Sequence, residues 1–432
     1  MQALLLAAGR SKRFWPLPDK NFLKLGGKTL IEYQVAALRQ AGLKKLVIVG
    51  GAHNLTKLKK LFPRETIVEQ HELDQGMAGA ILAAEQHLNQ PTLVLSTNDL
   101  FDPAAIKKVL TTKTTGGAIL AQLVNEYFPG GYLQLGAKKR VIGIVEKPGA
   151  GNEPSNVINI VCHLYQEPAR LVAAIQTVLK KQGGWFAKKK VMDDVYEQAL
   201  NQLVQEEEFL AVEYRGAWQA LKYPWHVLAA SQHFLKTIKK YHAKTVEIAK
   251  TAVIKGAVII EDGVKIFDHA VIIGPVYIGK GAVVGTGSLI RESIIGAGAV
   301  VGSQTEVARS YIGEQTWLHR NYVGDSVLGN NVSLGSGAVT GNLRLDEEDI
   351  SVRVNDQLIS TGGNKFGTVI GEGCRVGINV SLMPGVLIGE NSFIGSGLLI
   401  SQSIPKNTFA TGMTELQLKT NKKVASPRNL LK

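Results

Sequence analysis

Two hydrophobic periodicities divide the chain. Up to about residue 225, short apolar runs alternate with stretches whose apolar positions recur at helical spacing. "ALLLAA" (3–8), "KLVIVGG" (45–51), "TLVLST" (92–97) and "GGAILAQLV" (116–124) read as strands. "TLIEYQVAALRQAG" (29–42) and "GMAGAILAAEQHLNQ" (76–90) read as helices, the first closed by Gly42 as a C-cap. This alternation predicts an α/β sheet, largely parallel, with ligands gathering at the carboxyl ends of its strands.

From about residue 250 the pattern changes. Ile254, Ile260, Ile266, Ile272, Ile278, Val284 and Ile290 stand six apart. The step slips to five in places through Val301, Val307, Ile312, Leu318, Val323, Leu328 and Leu334. It returns to six at Ile370, Val376, Leu382, Ile388, Ile394 and Ile400. Neither a helix nor a half-buried strand has that period. Three six-residue units close a triangular coil, with the aliphatic side chain on the axis and Gly or Asn at the corners. The pattern therefore predicts a left-handed parallel β-helix of hexapeptide repeats, with roughly eight coils. The expected organisation is an α/β domain over 1–225, a linker helix within 226–249 and the β-helix over 250–412. Residues 343–365 lose the step, and "ISVRVNDQLIS" alternates like a hairpin, so a projecting loop is expected there. Residues 413–432 form a basic tail, expected to be solvated.

Composition narrows the function. A chain of 432 residues exceeds one ordinary core, and 45% apolar with 20% charged residues fits a soluble globular protein. No stretch approaches the ~20 apolar residues of a membrane span. The Ala3–Ala8 run has neither a preceding basic residue nor a following small-residue cleavage site, so it reads as a first strand. Cys162 and Cys374 are far apart and without metal-ligand spacing. They fit a reducing, cytoplasmic setting as buried small hydrophobes. The net charge of +13 suits nucleotides, sugar phosphates or coenzyme A. Nucleic acid is not expected, because no aromatic-interleaved basic stripe or DNA-reading helix is present.

The first strand runs into "LAAGRSKRFWPLPDK", where Gly9 precedes Arg10, Lys12, Arg13 and Lys20. Glycine lets backbone N–H groups approach oxyanions, and clustered cations neutralise crowded phosphates. This stretch, with "LGGKTLIEY" behind it, is similar to the signature of sugar-1-phosphate nucleotidyltransferases. With a β-helix following, the whole chain resembles the bifunctional N-acetylglucosamine-1-phosphate uridylyltransferase/glucosamine-1-phosphate acetyltransferase family. The resemblance implies a Rossmann-like nucleotidyltransferase domain that joins UTP or dTTP to N-acetylglucosamine 1-phosphate or glucose 1-phosphate and releases pyrophosphate. It also implies Mg²⁺, acetyl-CoA as co-substrate of the β-helix, and a homotrimer built through that β-helix.

Site residues follow by position. Arg13 would sit on the triphosphate and Lys20 would bridge the α-phosphate to the sugar phosphate. In "EQHELDQGMAGAI" Gly76 and Gln70 match the base-recognition segment. Asp99 in "VLSTNDLFD" takes the place of the Mg²⁺ ligand. Glu146 and Lys147 in "RVIGIVEKP", Asn159 in "SNVINIVCHLY" and Gly131 in "PGGYL" match the sugar contacts. In the β-helix, "WLHRNYVGDSVLGNNVSLGSGAVTGN" then "NKFGTVIG" resembles the acetyltransferase segment. There His319 takes the position of the general base, with Tyr322, Asn342 and Lys365 in support and Arg291 on the sugar phosphate.

The departures from the family pattern are specific. Ser11 replaces a loop glycine, Lys12 and Met77 each replace a common Thr, and Ala308 replaces a Lys. Ser333 and Ser336 stand for an Asn and an Ala. "WQALKYPWHVL" has Ala220 where a second metal-binding Asp is usual and His226 in place of the final Asp. Asp193 and Asp194 are alternative acids. Two other readings therefore stand beside the bifunctional enzyme: a nucleotidyltransferase whose β-helix is purely structural, and a degenerate sugar-nucleotide-binding protein.

Overall fold

The computed structural model describes residues 1–181, 194–354, 357–412 and 418–421. Asp193 and the basic tail outside 418–421 lie outside the described residues.

Among the described residues the first domain is a nine-stranded mixed sheet between two helical layers. Its strands are β1 (Gln2–Leu6), β2 (Lys45–Gly50), β3 (Thr66–Glu69), β4 (Thr92–Ser96), β6 (Gly117–Leu123), β7 (Gly131–Leu135), β8 (Val141–Glu146), β9 (Val157–Tyr165) and β10 (Phe209–Tyr214). A separate two-stranded pair joins β5 (Asp99–Phe101) to β11 (Trp218–Ala220). The sheet runs β8-β7-β9-β4-β1-β2-β3, with β6 branching from β9 and β10 pairing with the far side of β6. Strands β3, β2, β1 and β4 are parallel, as expected, but β9 is antiparallel to β4, β6 and β7. The largely parallel expectation thus holds for one half only. The other half is mixed: β7 and β8 form an antiparallel hairpin, while β10, reached through two helices, runs parallel to β6.

Alternation along β1 explains the two layers. Leu4 and Leu6 pack with α3 (Gly76–Ala83), α5 (Pro168–Lys181) and α6 (Val195–Glu206). Ala3, Leu5 and Ala7 pack with α1 (Leu30–Gln40), α2 (Leu55–Leu61) and α4 (Pro103–Thr111) on the other side. Thr29 and Glu32 close a capping box at the start of α1, satisfying two orphan donors there. The helix predicted over 76–90 is shorter, ending at Ala83 before a 3-10 turn at Glu85–His87.

The helix expected within 226–249 is α7, His226–Leu235. Strand pairing of the solenoid already begins at Tyr241, opposite Ile259. Three parallel sheets of eight, nine and eight strands follow, the faces of the left-handed β-helix. The aliphatic residues at the step of six form its axis: Ile260, Ile272, Ile278, Val284, Ile290, Ile370 and Ile388 are fully buried. Coils grow by 18 residues, as in Val258 opposite Val276, and by 16 where the step shortens, as in Tyr311 opposite Val327. Cys162 and Cys374 are free and buried.

One face of the solenoid is not solvent-facing. Tyr277, Ile294, Tyr311, Val327, Val369 and Leu387 cluster with Phe14, Leu17, Leu25 and Trp225 of the first domain. Lys24 pairs with Glu314 at 2.9 Å and Gln232 donates to the Glu292 carbonyl at 2.9 Å across the junction. The loop expected to project at 343–365 is a hairpin, Ser351–Val354 against Gln357–Ser360. It folds back onto this junction, because Ile350 and Val352 are buried in the same cluster as Trp225 and Phe366. No helix among the described residues is long and apolar enough to cross a membrane.

Candidate functional site

The carboxyl end of β1 opens into a cleft of about 150 Å³. Gly9, Lys20, Gln70 and Gly76 all line it, joined by Asn21, Ser96 and Thr97. Four residues singled out from two distant motifs therefore line one cleft. Gly76 has φ +56° and ψ −145°, a conformation open to glycine alone, and it starts α3 at the cleft. Gln70 is 3% exposed, and its amide donates to the Glu72 carbonyl at 2.9 Å and the Gly76 carbonyl at 3.1 Å. Its donors thus hold the glycine turn in shape.

The loop carrying Arg13 keeps a glycine-like backbone without its second glycine. Ser11 sits at φ +50°, the left-handed region, at a cost of about 1–2 kcal/mol for a residue with a Cβ. The 3-10 turn Lys12–Phe14 follows, with Phe14 buried as its anchor and Arg13 exposed. Lys20 lies in a second 3-10 turn whose N-cap, Asp19, accepts from the Asn21 N–H at 3.0 Å. The Lys20 ammonium donates to the Leu221 carbonyl at 3.1 Å.

Asp99 starts β5, and the pairing of β5 with β11 sets Ala220 directly opposite it. A carboxylate at 220 would face Asp99 across about 5 Å. Alanine there leaves Asp99 without a carboxylate opposite it in this strand pair. The Trp218 indole N–H donates to Asp99 Oδ1 at 2.9 Å, while burial pushes the carboxyl pKa up against that bond and the nearby Lys20 and Lys222. His226 does not replace the missing acid. Its Nδ1 lies 2.8 Å from the Ala220 carbonyl, and burial lowers its pKa to about 4, keeping the ring neutral. Asp194 is exposed and accepts from Gln198 at 2.8 Å. Among the described residues no group of three or more His, Cys, Asp or Glu side chains gathers as a metal cage.

The residues expected on the sugar also converge. Gly131 on β7 pairs with Glu146 on β8. A Cβ added at Gly131 would lie 2.9 Å from Glu146 Oε2 and 3.0 Å from Asn159 Nδ2. The three thus form a cradle whose floor is bare backbone. Lys147, in the left-handed region at φ +47°, pairs with Glu146 at 3.1 Å and leaves its ammonium half exposed. Gly131→Ala is expected to raise KM for the sugar 1-phosphate at least tenfold while leaving KM for the nucleotide and the melting temperature nearly unchanged. Initial-rate kinetics varying each substrate checks this, and parallel changes in both KM values would refute a sugar-specific cradle.

Sequence reading missed one partly buried cation. Lys222 stands within electrostatic reach of Arg13, Asp99, Glu146 and Lys147. Its ammonium rests 3.8 Å above the centre of the Phe128 ring and donates to the Pro129 carbonyl. Burial lowers its pKa to about 8, opposed by Asp99 and Glu146 and helped by Arg13 and Lys147. Lys20, buried behind the same acid, is likewise lowered to about 8. No local pattern marks Lys222, because its neighbours come from four separate segments. Glu197 on α6 is a further acid on this side, raised to about 7 by burial and by Glu146.

On the β-helix the expected acetyltransferase residues lie near one corner. His319 is exposed after the strand Trp317–Leu318, with the Trp317 ring 6.1 Å away and its backbone N–H donating to Asn321. Tyr322 and Asn342 approach each other over Gly324, whose added Cβ would meet Tyr322 Oη at 2.6 Å and Asn342 Nδ2 at 2.8 Å. Asn342 also donates to Asp325, which holds Arg309 through bonds of 2.6 and 2.7 Å. Arg291, Ala308 and Gly324 stack on three successive coils. Arg291 is paired with Glu306 at 2.7 Å, so its charge is partly committed within the solenoid. Lys365 is exposed at the hairpin base, bridged to Leu343.

Family models and sequence relatives agree with this architecture. The MobA-like NTP transferase domain family matches residues 3–247, the GMPPB C-terminal domain residues 241–359, and the bacterial transferase hexapeptide repeats residues 367–402. The bifunctional protein GlmU of Methanococcus aeolicus is 30% identical over 98% of this chain and 100% of its own. The bifunctional sugar-1-phosphate nucleotidylyltransferase/acetyltransferase of Sulfurisphaera tokodaii is 31% identical, over 95% of this chain and 99% of its own. Among solved structures, apo-UDP-glucose pyrophosphorylase covers 55% of this chain and 98% of its own at a TM-score of 0.47 and 19% identity.

Proposed function

The chain belongs to the bifunctional GlmU-type family of sugar-1-phosphate nucleotidyltransferase/acetyltransferases, and from that premise we propose that its first domain joins UTP or dTTP to N-acetylglucosamine 1-phosphate or glucose 1-phosphate. The convergence of Gly9, Lys20, Gln70 and Gly76 on one cleft carries this reading. It is supported by the cradle of Gly131, Glu146 and Asn159, with Lys147 paired to Glu146 and Lys222 within electrostatic reach of Asp99 and Glu146.

The chemistry needs little covalent help. A sugar-phosphate oxygen attacks the α-phosphorus, the bond from that phosphorus to the β-bridging oxygen breaks, and pyrophosphate leaves with the electron pair. Positioning and charge neutralisation are what the protein supplies. Gly9 backbone and Arg13 hold the triphosphate, Lys20 spans the α-phosphate and the incoming phosphate, and Lys147 grips the sugar phosphate. Glu146 and Asn159 take sugar hydroxyl or amide groups. Mg²⁺ would be held by Asp99 and substrate oxygens, since magnesium in phosphate sites commonly takes only one or two protein carboxylates. When bound it neutralises phosphate charge. Pyrophosphate release from UTP and dTTP with a panel of sugar 1-phosphates tests the proposal, and absence of turnover with every pair in folded protein would remove it.

The β-helix supports a second activity, transfer of an acetyl group from acetyl-CoA to the amine of glucosamine 1-phosphate. The specific observation is the Tyr322–Asn342–Asp325–Arg309 group near the same corner as an exposed imidazole. His319 would take the amine proton, the amine would attack the thioester carbon, and CoA would leave as the thiol. His319→Ala is expected to lower acetylation at least 10²-fold while leaving pyrophosphate release unchanged, read by thiol release. Exposed Trp317, Phe393, Leu399 and Phe409 on the two free faces fit a homotrimer through the solenoid. A cytoplasmic location suits both substrates.

A further inference from the structure

The cradle rests on an internal hydrogen-bond chain. Asn159 Oδ1 lies 2.8 Å from His163 Nε2, His163 Nδ1 lies 2.6 Å from Tyr196 Oη, and Tyr196 Oη lies 2.8 Å from Tyr165 Oη. His163, Tyr196 and Tyr165 are at most 1% exposed. The contact between Asn159 and His163 is not a given of strand geometry. Four residues of unbroken strand span ~13 Å, beyond the reach of these two side chains in a straight run. A register shift of β9 against β6 between Ile160 and His163 breaks that run. Bulges recur where a strand must re-aim a side chain beside a site.

The chain has two possible polarities, and its ends choose between them. In one, Tyr165 O–H donates to Tyr196, Tyr196 O–H to Nδ1, and Nε2–H to the Asn159 oxygen. In the other every proton is reversed. Among the described residues the Tyr165 hydroxyl has Tyr196 as its hydrogen-bond partner, so the reversed chain would aim a fully buried O–H at nothing. At the other end, the outward atom of Asn159 shares the Gly131 cradle with the Glu146 carboxylate, which favours a donor there. Burial keeps the imidazole neutral, its pKa lowered to about 3, so only one ring nitrogen carries a proton.

We propose that Tyr165, Tyr196 and His163 are positioning residues that lock the Asn159 amide with its NH₂ toward the cradle, so that the site selects a sugar 1-phosphate offering an acceptor there. This rests on the cradle being the sugar site. The recognised group is a hydroxyl oxygen or an acetamido carbonyl of the sugar ring.

The test compares Tyr196→Phe with Tyr165→Phe in the full-length enzyme, using the best UTP or dTTP and sugar 1-phosphate pair from the panel. Both remove one buried hydroxyl without changing ring volume. Tyr196→Phe takes away the donor to Nδ1 and is expected to raise KM for the sugar 1-phosphate about tenfold, with KM for the nucleotide unchanged. Tyr165→Phe leaves that donor in place and is expected to change KM less than twofold, despite a similar drop in melting temperature. Equal effects of the two variants on KM, or none, would overturn the relay. Asn159→Ala separates the two ideas: if it leaves sugar KM unchanged, the cradle reading itself fails. Independently of folding in the variants, ¹⁵N spectra of the parent enzyme should show His163 protonated at Nε2; protonation at Nδ1 reverses the polarity and refutes the proposal.

Discussion

Replacing Lys20 by methionine is expected to lower kcat/KM for nucleotidyl transfer by about 10²–10³-fold, the loss typical of removing one preorganised charge-stabilising group. Methionine keeps the aliphatic stem that crosses the cleft, so the change removes charge with little loss of packing. The ammonium sits in the same cleft as Gly9 and Gly76 and is held by the Leu221 carbonyl at 3.1 Å. It is therefore already in place before substrate arrives, which is what makes such a group effective. Initial rates of pyrophosphate release give the ratio. A loss below about fivefold would mean that Lys20 faces no reacting phosphate, and the assignment of the cleft to the triphosphate would fall with it.

Lys222→Met is expected to cost about 10–10²-fold in kcat/KM and to change the pH profile. Lys20 and Lys222 both have pKa values lowered to about 8, with burial as the largest cause. For Lys20, Asp99 and Asp19 favour the charge and Arg13 opposes it. For Lys222, Asp99 and Glu146 favour it, while Arg13 and Lys147 oppose it. Each lysine is charged below its pKa and loses its proton as pH rises through about 8. Since kcat/KM reports the free enzyme, log kcat/KM should be level below pH 7 and fall above 8, its slope steepening as both protons are lost. In Lys222→Met one of the two ionisations is gone, so the alkaline limb should be shallower. An identical alkaline limb in parent and variant would show that Lys222 does not titrate with the site. Triphosphate binding measured with EDTA present gives a second readout, because a fixed ammonium acts without a metal. The variant should bind UTP more weakly there.

These two lysines show how differently a site is encoded. Lys20 is legible from a short motif that carries a glycine, an arginine and a lysine on one loop. Lys222 is invisible in its own segment, "WQALKYPW". It gains meaning only because β11 pairs with β5, which brings it near an acid more than 100 residues earlier. The same pairing turns Ala220 from a motif mismatch into a located gap opposite Asp99. Ser11 shows the reverse. The missing glycine suggests a different loop, yet the backbone holds the left-handed conformation regardless, anchored on either side by β1 and buried Phe14.

The sequence by itself determined the architecture, because a step of six and a strand–helix alternation are local properties. Each residue's direction is set by its neighbours a few positions away, and the buried axis of the solenoid follows directly. It also singled out Gly9, Lys20, Gln70 and Gly76, which line the cleft, and Gly131, Glu146 and Asn159 of the cradle, since each lies in a short motif. Tertiary structure alone decided the antiparallel pairings of β9, the hairpin folded onto the domain junction, the place of Lys222 and the buried chain behind Asn159. Those features depend on register between segments far apart in the chain. Register is set by how well whole surfaces pack and satisfy their polar groups, which no short window of sequence contains.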